Sequence, residues 1–456
     1  MDMKQTATQV VKQLQDAGHQ AVFAGGCVRD MLLGVEPSDF DVSTSATPDQ
    51  VERIFSHTVA VGKSFGVIRV LMGNHEIEVA TFRTDNRSSD GRHPDSVTFS
   101  TSMEEDVKRR DLTVNALLMN PVSGEIFDFV GGQEDLRIKR IRFVGVANDR
   151  IEEDALRMLR AVRFAVKFDA TLTGEDSQAI VDNAFRVEVL SGERIFDEMT
   201  KILRLHKARR ALNMLSDLGL LSLILPEIEA LKTCEHGACT FHLEGSVWNH
   251  LMLVLEALPK DASDELLWGT LLHDVGKPAT QKPSKNHPGA FAFHGHDNVG
   301  AEMAIDLLRR MKCSNDFIFT VSELVRGHMK MHLMAELKMH TARRLLAEPF
   351  IEDLMKLGVA DETGCVRGSG VELTFLKWQK RVTEIRAKFV EMGTPLVPGC
   401  LVTGRDLIEA GFKPGPLFKV ALNKVHDDQL SGLIETRAQA VEQAVRRLRN
   451  LVGAAS

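Results

Sequence analysis

Two carboxylates, Asp39 and Asp41, stand two residues apart in the run Ser38-Asp-Phe-Asp-Val-Ser-Thr44. In a strand, residues so spaced point to one face, so the run predicts a strand carrying both acids side by side. Charges that close repel unless a cation lies between them, and hard oxygen ligands suit Mg²⁺. Just upstream, Phe23 to Asp30 reads FAGGCVRD. Gly25 and Gly26 let backbone amides approach an anion, and a helix opening behind them at Arg29 and Asp30 favours phosphate. A phosphate cradle beside a carboxylate pair is what Mg²⁺-dependent nucleotidyl transfer requires. Alone, each feature is equally a glycine turn or a solvated acidic strand; their proximity carries the reading. Glu78, on a later strand-like run, is either a third carboxylate of the set or an exposed edge residue.

A second set lies in Ile151 to Phe164, IEEDALRMLRAVRF. Read as one helix, it places Asp154 and Arg157 on a shared face and continues with Arg160 and Arg163 at the same step. The Watson–Crick edges of adenine and cytosine both offer an exocyclic amine beside a ring-nitrogen acceptor. A carboxylate accepts from the first and a guanidinium donates to the second. Guanine and uracil present the opposite pattern and would leave buried polar groups unpaired. The plainer reading is a basic helix face balanced by Glu152, Glu153 and Asp154.

The third set is His250 together with His273 and Asp274 in LLHDVGKP, Leu271 to Pro278, with His294, His296, His328 and Asp361 as further candidates. Imidazole and carboxylate ligands from several helices suit a transition metal that activates water. The alternative is a buried His–Asp hydrogen bond in a helical core. CEHGACTFH, Cys234 to His242, pairs two cysteines with two histidines, but its spacing is not a standard zinc pattern.

The elements that must position these groups can be read in outline. Residues 4–17 alternate as a helix, and His19 to Ala24 forms a first strand. Thr47-Pro48-Asp49 caps a helix through Ile54. Val67 to Met72 and Glu76 to Phe82 read as a hairpin joined at Gly73-Asn74. Arg83 to Val97 is polar, breaker-rich and longer than a typical connection. Glu104 to Asn115 begins as a helix and ends at Arg110-Asp111, before strand-like Leu112 to Met119. Leu136 to Val144 is basic and strand-bearing. From residue 148 onward the chain reads helix after helix.

A chain of 456 residues exceeds one core, and 44% apolar with 26% charged residues describes an ordinary globular protein. No apolar run approaches a membrane span, and the polar amphipathic start is not a signal peptide. Six scattered cysteines fit a reducing compartment, the cytoplasm. A net charge of −7 is not the footprint of a nonspecific nucleic-acid coat. An RNA would have to be met by local basic patches such as Lys108 to Arg110, Arg137 to Arg142, Lys207 to Arg210 and Arg446 to Arg449, most of which read better as solvated charged faces.

GGCVRD followed by DFDVST resembles the head of the polymerase-β-type nucleotidyltransferases of class II, the bacterial tRNA CCA-adding enzymes and poly(A) polymerases. The resemblance implies that Gly26, Arg29, Asp39 and Asp41 are phosphate and metal positions, and that Asp39 and Asp41 are catalytic with two Mg²⁺ ions. EDALRMLRAVRF is similar to the family's nucleotide-selecting motif, which puts Asp154 and Arg157 at the templating positions. Arg160 and Arg163 fall where the incoming nucleotide's phosphates or sugar are held. Lys108-Arg-Arg-Asp111 with Asn115 resembles an RRDxTxN motif, in which Arg110 matches a nucleotide contact. Ser191-Gly-Glu-Arg194 with Glu198 resembles a neck motif that braces the templating helix. LVTGRDLIEAGFKPGPLF resembles the family's tail. LLHDVGKP resembles the HD phosphohydrolase fold, implying a metal such as Ni²⁺ or Mn²⁺ on His250, His273 and Asp274.

The implied fold is α+β: a nucleotidyltransferase head with a small mixed sheet (1–145), a helical neck (146–225), an HD-type helical domain (226–370) and a helical tail for tRNA (371–456). The implied activity is addition or repair of the 3′ CCA of tRNA from CTP and ATP, in the cytoplasm and without a membrane partner. Gly62-Lys-Ser-Phe-Gly66 departs from the Arg-Arg-Phe segment of poly(A) polymerases, and the full-length Arg83 to Val97 loop departs from enzymes that add only CC. Addition of A alone, with a separate CC-adding partner, stays open. So does a protein of another class, an HD phosphohydrolase or RNA-binding protein with a nucleotide-sensing head. The oligomeric state is left open.

Overall fold

Asp2 starts the first helix. Its carboxylate accepts from Gln5 N at 2.7 Å while the Gln5 side chain accepts from the Asp2 amide, a capping box that satisfies two otherwise orphaned donors. The helix, α1 (Met3–Asp16), turns Ala7, Val10, Val11 and Leu14 onto a sheet. The structure is a computed structural model that describes residues 2–85, 97–237, 242–285, 287–368 and 373–455. It divides into two compact units, Met1–Glu229 and Ala230–Ser456.

The sheet of the first unit is built from β1 (Ala21–Ala24), β2 (Val42–Thr44), β3 (Thr58–Gly62), β4 (Val67–Met72), β5 (His75–Thr81), β8 (Leu118–Met119) and β9 (Ile126–Phe127), in the order β3-β4-β5-β2-β1-β8-β9. A separate antiparallel pair joins β6 (Arg83–Asp85) to β7 (Val97–Phe99). Residues 86–96, the middle of the expected long loop, lie outside the described residues. β2 runs parallel to β5 and antiparallel to β1. β1 is buried on both faces: Phe23 joins Val42, Ile68, Val70 and Val79 beneath α1, and Val22 and Ala24 join Phe82, Val107 and Leu118 on the other side. Glycine at the β4–β5 junction, Gly73, takes φ 62°, the positive φ that a tight hairpin needs.

The helices of this unit are α2 (Gly26–Leu32), α3 (Pro48–Ile54), α4 (Met103–Lys108), α5 (Gly132–Arg137), α6 (Ala147–Glu153), α7 (Leu156–Lys167), α8 (Gly174–Asn183), α9 (Gly192–Leu203), α10 (Ala208–Asp217), α11 (Leu221–Ile224) and α12 (Pro226–Glu229). Two expectations fail here. The strand expected to carry Asp39 and Asp41 begins only at Val42, so both acids sit in the segment leading into β2. The single helix expected over Ile151 to Phe164 is two, α6 and α7, broken at Asp154, whose backbone is extended at φ −157° and ψ 106°. The Asp154 carboxylate accepts from Leu156 N at 3.0 Å. That local bond competes with helix continuation, as short acidic side chains commonly do. The sequence reading also missed β3, and it missed the two-residue strands after residue 148, of which β11 (Thr171–Leu172) pairs with β10 (Arg140–Ile141) and β12 (Lys282–Pro283) with β13 (Phe291–Ala292).

The second unit is helical: α13 (Val247–Glu256), α14 (Asp264–Leu272), α15 (Lys277–Thr280), α16 (His296–Arg310), α17 (Asn315–His332), α18 (Met339–Leu346), α19 (Ile351–Gly364), α20 (Phe375–Glu391), α21 (Gly404–Glu409), α22 (Pro416–Leu430) and α23 (Arg437–Ala455). α14 starts where Ser263 accepts from Leu266 N at 3.1 Å and is buried from Leu266 to Leu272 on every side. It therefore shows no apolar stripe, as a central helix should not. The last helices close their own core of Val402, Leu407, Val425, Ala444 and Leu448. Among the described residues, no helix is long and apolar enough to cross a membrane.

Gly132 brings the start of α5 against the turn Thr113–Asn115; a Cβ there would overlap the Thr113 carbonyl oxygen and press on Leu117. Gly132→Ala is expected to cost about 1–3 kcal/mol, as overpacking does. The readout is a lower urea midpoint at unchanged slope, and an unmoved midpoint would mean that α5 slides away freely.

Candidate functional site

Gly25 links β1 to α2 at φ 73°, and a side chain there would meet Arg110 Nη1 at 3.0 Å. Its amide is tied to Leu117 O at 2.9 Å, so the turn is fixed from the neighbouring strand side. Behind it on α2, Arg29 is only 5% exposed. Its Nε donates to Asp30 Oδ1 at 2.8 Å and its Nη1 to the Asn115 side-chain oxygen. Its Cζ lies 5.1 Å from the ring centroids of both Phe164 and Phe168, within the range of a favourable cation–π contact. Neither phenylalanine stood out in the sequence as a positioning group; the signal available was only their i, i+4 spacing on one helix.

Asp39 and Asp41 are exposed at the mouth of this turn. The pairing of Val42 with Val79 aligns the residues before them, Asp41 and Glu78. Although Asp41 still reaches solvent, its carboxyl is pushed up to about 6: surrounding protein displaces water from it, Glu78 and Asp39 repel it, and Arg110 only partly offsets this. Glu78 is thus an electrostatic neighbour of the pair. Arg110 donates to Ser43 Oγ and to the buried Asp106 carboxylate, both at 3.1 Å. Among the described residues, the groups of three or more donors that converge tightly enough for one metal ion all lie in the second unit, so the case for a cation here rests on charge.

Asp154 and Arg157 do not bond each other. Asp154 Oδ2 accepts from Arg194 Nη2 at 2.7 Å. Arg157 donates to Glu153 at 2.6 Å and to the carbonyls of Arg150 and Arg109, each at 3.1 Å. Arg160 Nε donates to Asp111 Oδ2 at 2.7 Å, and Arg163 Nε to the buried Glu198. Burial pushes the Asp111 carboxyl up, but Arg160 outweighs it and the net shift is down. Asp111 also accepts from Asn115 Nδ2 at 3.3 Å, the residue that holds Arg29. Gly25, Arg29, Arg110, Asp111, Asn115, Arg160 and Arg163 therefore form one continuous contact network in the first unit. Arg157 joins it through the Arg109 carbonyl, while Asp154 is held by Arg194 of α9 and faces Arg160 electrostatically.

In the second unit His250 (α13), His273 and Asp274 (after α14), His296 (α16), His328 (α17) and Asp361 (α19) meet. His250 Nε2 lies 2.9 Å from Asp361 Oδ1 and 3.7 Å from Asp274 Oδ2; His273 Nε2 lies 3.3 Å from the same Asp274 oxygen. His296 and His328 present Nε2 to Asp274 Oδ1 at 3.4 and 4.0 Å. His273 Nε2 is buried without an aligned hydrogen bond, and an orphaned ligand atom of this kind beside the Asp274 carboxylate fits a metal ion. Burial and the imidazoles of His273 and His296 push His328 down to about 3, so it is neutral and able to ligate. His332 Nε2 reaches Asp361 Oδ2 at 2.8 Å, and Lys277 Nζ reaches Asp274 Oδ2 at 2.7 Å; the sequence reading missed both. A cavity of about 630 Å³ opens onto the cluster, with Lys277, His294 and Arg367 in its wall. Gly276 of LLHDVGKP is small because a Cβ would overlap the His296 carbonyl oxygen.

Residues 21–142 match a family model described as the Poly A polymerase head domain, 171–232 one described as a probable RNA and SrmB-binding site of polymerase A, and 246–363 the HD domain. A CCA-adding enzyme of Bacillus subtilis is 46% identical over 209 residues, 46% of this chain and 52% of that protein. One of Bacillus velezensis is 38% identical over 280 residues, 60% of this chain and 70% of that protein. The alignments thus span from about half to about two thirds of the relatives' length. The crystal structure of the Bacillus stearothermophilus CCA-adding enzyme in complex with CTP superposes with a TM-score of 0.73 at 29% identity, covering 99% of this chain and 100% of that one.

The raised Asp41 carboxyl makes a stability prediction. An ordinary aspartate titrates near about 4, so above pH 6 the ionised Asp41 penalises the fold, and below about 4 the penalty is gone. Asp41→Asn is expected to raise the melting temperature at neutral pH, with the gain shrinking as the pH falls from about 6. Equal melting temperatures at neutral pH would show that Asp41 is not strained by its neighbours.

Proposed function

The chain belongs to the CCA-adding enzyme family, and on that premise we propose that it adds or repairs the 3′-terminal CCA of tRNA from CTP and ATP, releasing pyrophosphate. One observation carries the reading: the Gly25 turn and the clamped Arg29 share one contact network with the arginines of α7, and Arg110 of that network attracts the strained Asp41. Gly26 and Arg29 bind the triphosphate. Asn115, Asp30 and the two phenylalanines hold the Arg29 guanidinium in place, so little reorganisation is needed when phosphate arrives. Asp39 and Asp41 would hold the two Mg²⁺ ions, and the loss of water and the carboxylate repulsion that together raise Asp41 are what a cation would offset. Bound there, Mg²⁺ supplies the charge that activates the RNA 3′-hydroxyl and steadies the departing pyrophosphate.

Asp154 and Arg157 select the base. Each spends part of its capacity on the protein, Asp154 on Leu156 N and Arg194, Arg157 on Glu153 and two carbonyls. A carboxylate has about four lone-pair sites and a guanidinium five N–H donors, so both keep capacity for a Watson–Crick edge. Arg110, Arg160 and Arg163 steady the nucleotide. The helical tail meets tRNA by shape and phosphate contacts. Each cysteine among the described residues is free, which fits work in the cytoplasm.

The second unit supports an additional hydrolytic site. His273 Nε2, buried without an aligned hydrogen bond, and Asp274, with His250 and Asp361, would hold a transition metal such as Ni²⁺ or Mn²⁺. Lys277 and Arg367 in the cavity wall suit a phosphorylated substrate.

Asp39→Ala and Asp41→Ala are each expected to reduce C and A incorporation into tRNA lacking CCA to background, read at nucleotide resolution; substantial incorporation by either pure variant would refute the metal assignment. Asp154→Ala is expected to lose about 10²-fold or more of its discrimination against UTP and GTP. Undiminished discrimination would remove Asp154 from base selection. Extension only of tRNA already ending in CC would replace CCA addition by A addition.

A further inference from the structure

We propose that the second unit contains a separate site for a thiophilic divalent cation of the zinc kind, formed by His242, Glu244, His250 Nδ1 and Cys365. Glu244 Oε1 lies 2.7 Å from His242 Nδ1 and 3.2 Å from His250 Nδ1. Cys365 Sγ lies 3.8 Å from His242 Nδ1 and 4.0 Å from His250 Nδ1. All four donor atoms fall within 4.8 Å of one another. Around a tetrahedral Zn²⁺ with nitrogen or oxygen at ~2.0–2.1 Å and sulfur at ~2.3 Å, donors must stand roughly 3.3–3.6 Å apart. The four separations bracket that range, so the ion fits with sub-ångström shifts of side-chain atoms.

Charge favours the same occupant. The side chains of His250 and Glu244 are 1% and 2% exposed. Among the described residues, the ion-pair partners of Glu244 are the two imidazoles alone. A buried carboxylate and a thiolate with two neutral imidazoles balance a divalent cation to zero, which removes the cost of isolated buried charge. Thiolate with imidazole selects a soft or borderline metal over Mg²⁺ or Ca²⁺. His242 and Cys365 also line the 630 Å³ cavity, which gives an ion a way in.

The site is distinct from the Asp274 cluster because His250 faces the two with different nitrogens: Nε2 points to Asp361 at 2.9 Å and Nδ1 to Glu244. With this ion alone on Nδ1 the neutral ring keeps its proton on Nε2 for Asp361, and with both ions bound it would give up that proton and bridge them as an imidazolate. A brace on His250, the usual duty of a carboxylate behind a metal-bound histidine, accounts for Glu244. It does not account for His242 and Cys365 converging on the same point from 123 residues apart. The ion would tie the approach to α13 to the end of α19. CEHGACTFH thus contributes a ligand through His242, without Cys234 in the set.

Cobalt(II) reports the ligand directly, since only a bound thiolate gives an intense near-ultraviolet sulfur-to-cobalt charge-transfer band. The full-length protein, stripped with chelator, is titrated with Co²⁺ alone. The expected result is a saturable charge-transfer band that Cys365→Ser abolishes and Asp274→Asn retains. Cobalt bound without that band, or no cobalt bound at all, would overturn the site and leave the cluster a hydrogen-bonded brace. A band that survives Cys365→Ser belongs to another cysteine and equally overturns it. A band lost in Asp274→Asn would assign the thiolate to the Asp274 cluster and refute a separate site. If a variant folds poorly, the wild-type titration still overturns the site when it gives no charge-transfer band.

Discussion

The head depends on how one short strand is paired. β2 is held by β1 on one side and by β5 on the other, with Val42 opposite Phe23 and Val79. The Asp41 carbonyl accepts the Ala24 amide at 3.0 Å, so the backbone carrying the acids is locked beside the glycine turn. Asp41 cannot retreat from Glu78 without breaking the register that buries Val42. A slip of one residue would turn the whole strand inside out. The apolar cluster of Phe23, Val42, Ile68, Val70 and Val79 holds this register, each side chain contributing about 1.5–3 kcal/mol when fully buried. Repulsion among carboxylates is therefore imposed on the site by the core, which is how a fold keeps a cation site poised.

The arginines answer the carboxylates with a different economy. Arg29 has Asp30, Arg110 has Asp106, Arg157 has Glu153, Arg160 has Asp111 and Arg163 has Glu198. A pocket meant for an anion would otherwise gather like charges on α7 and repel itself. With a carboxylate behind each guanidinium the side chains are oriented before the ligand comes, and their remaining N–H groups are left to it. This also reconciles nucleotide chemistry with a net charge of −7: the positive groups are local and backed.

What the sequence revealed and what it hid divide along the distance of the contact. The glycine turn, the cap at Thr47 and the β4–β5 hairpin are local patterns, and each is where its residues placed it, whereas the DxD pair falls just ahead of the strand expected to carry it. The parallel pairing of β2 with β5 is non-local, and β3 lies at the edge with its middle residues exposed, so neither leaves an alternation to read. The break at Asp154 was hidden for another reason. Apolar residues on both sides keep helical spacing, and a single Asx-type bond to Leu156 N interrupts the helix without disturbing that pattern. Arg194, the partner of Asp154, stands 40 residues away, and no spacing rule points to it.

The histidines of the second unit show how local geometry prepares a distant site. His273, His296 and His328 each place Nδ1 against the carbonyl three residues earlier, Thr270, Phe293 and Val325, at 2.7, 2.8 and 2.6 Å. That bond claims the Nδ1 proton, so in each neutral ring the lone pair is on Nε2. All three Nε2 atoms then face Asp274. One turn-level device used three times thus converts helix ends into oriented ligands, before any metal arrives. His250 breaks the rule. Its Nδ1 faces Glu244 at 3.2 Å and its Nε2 faces Asp361, so both nitrogens look toward carboxylates. A fully buried imidazole between two anionic groups is either protonated or ligates a cation with one nitrogen while its N–H donates to the carboxylate at the other, and the second course needs no net charge in the core.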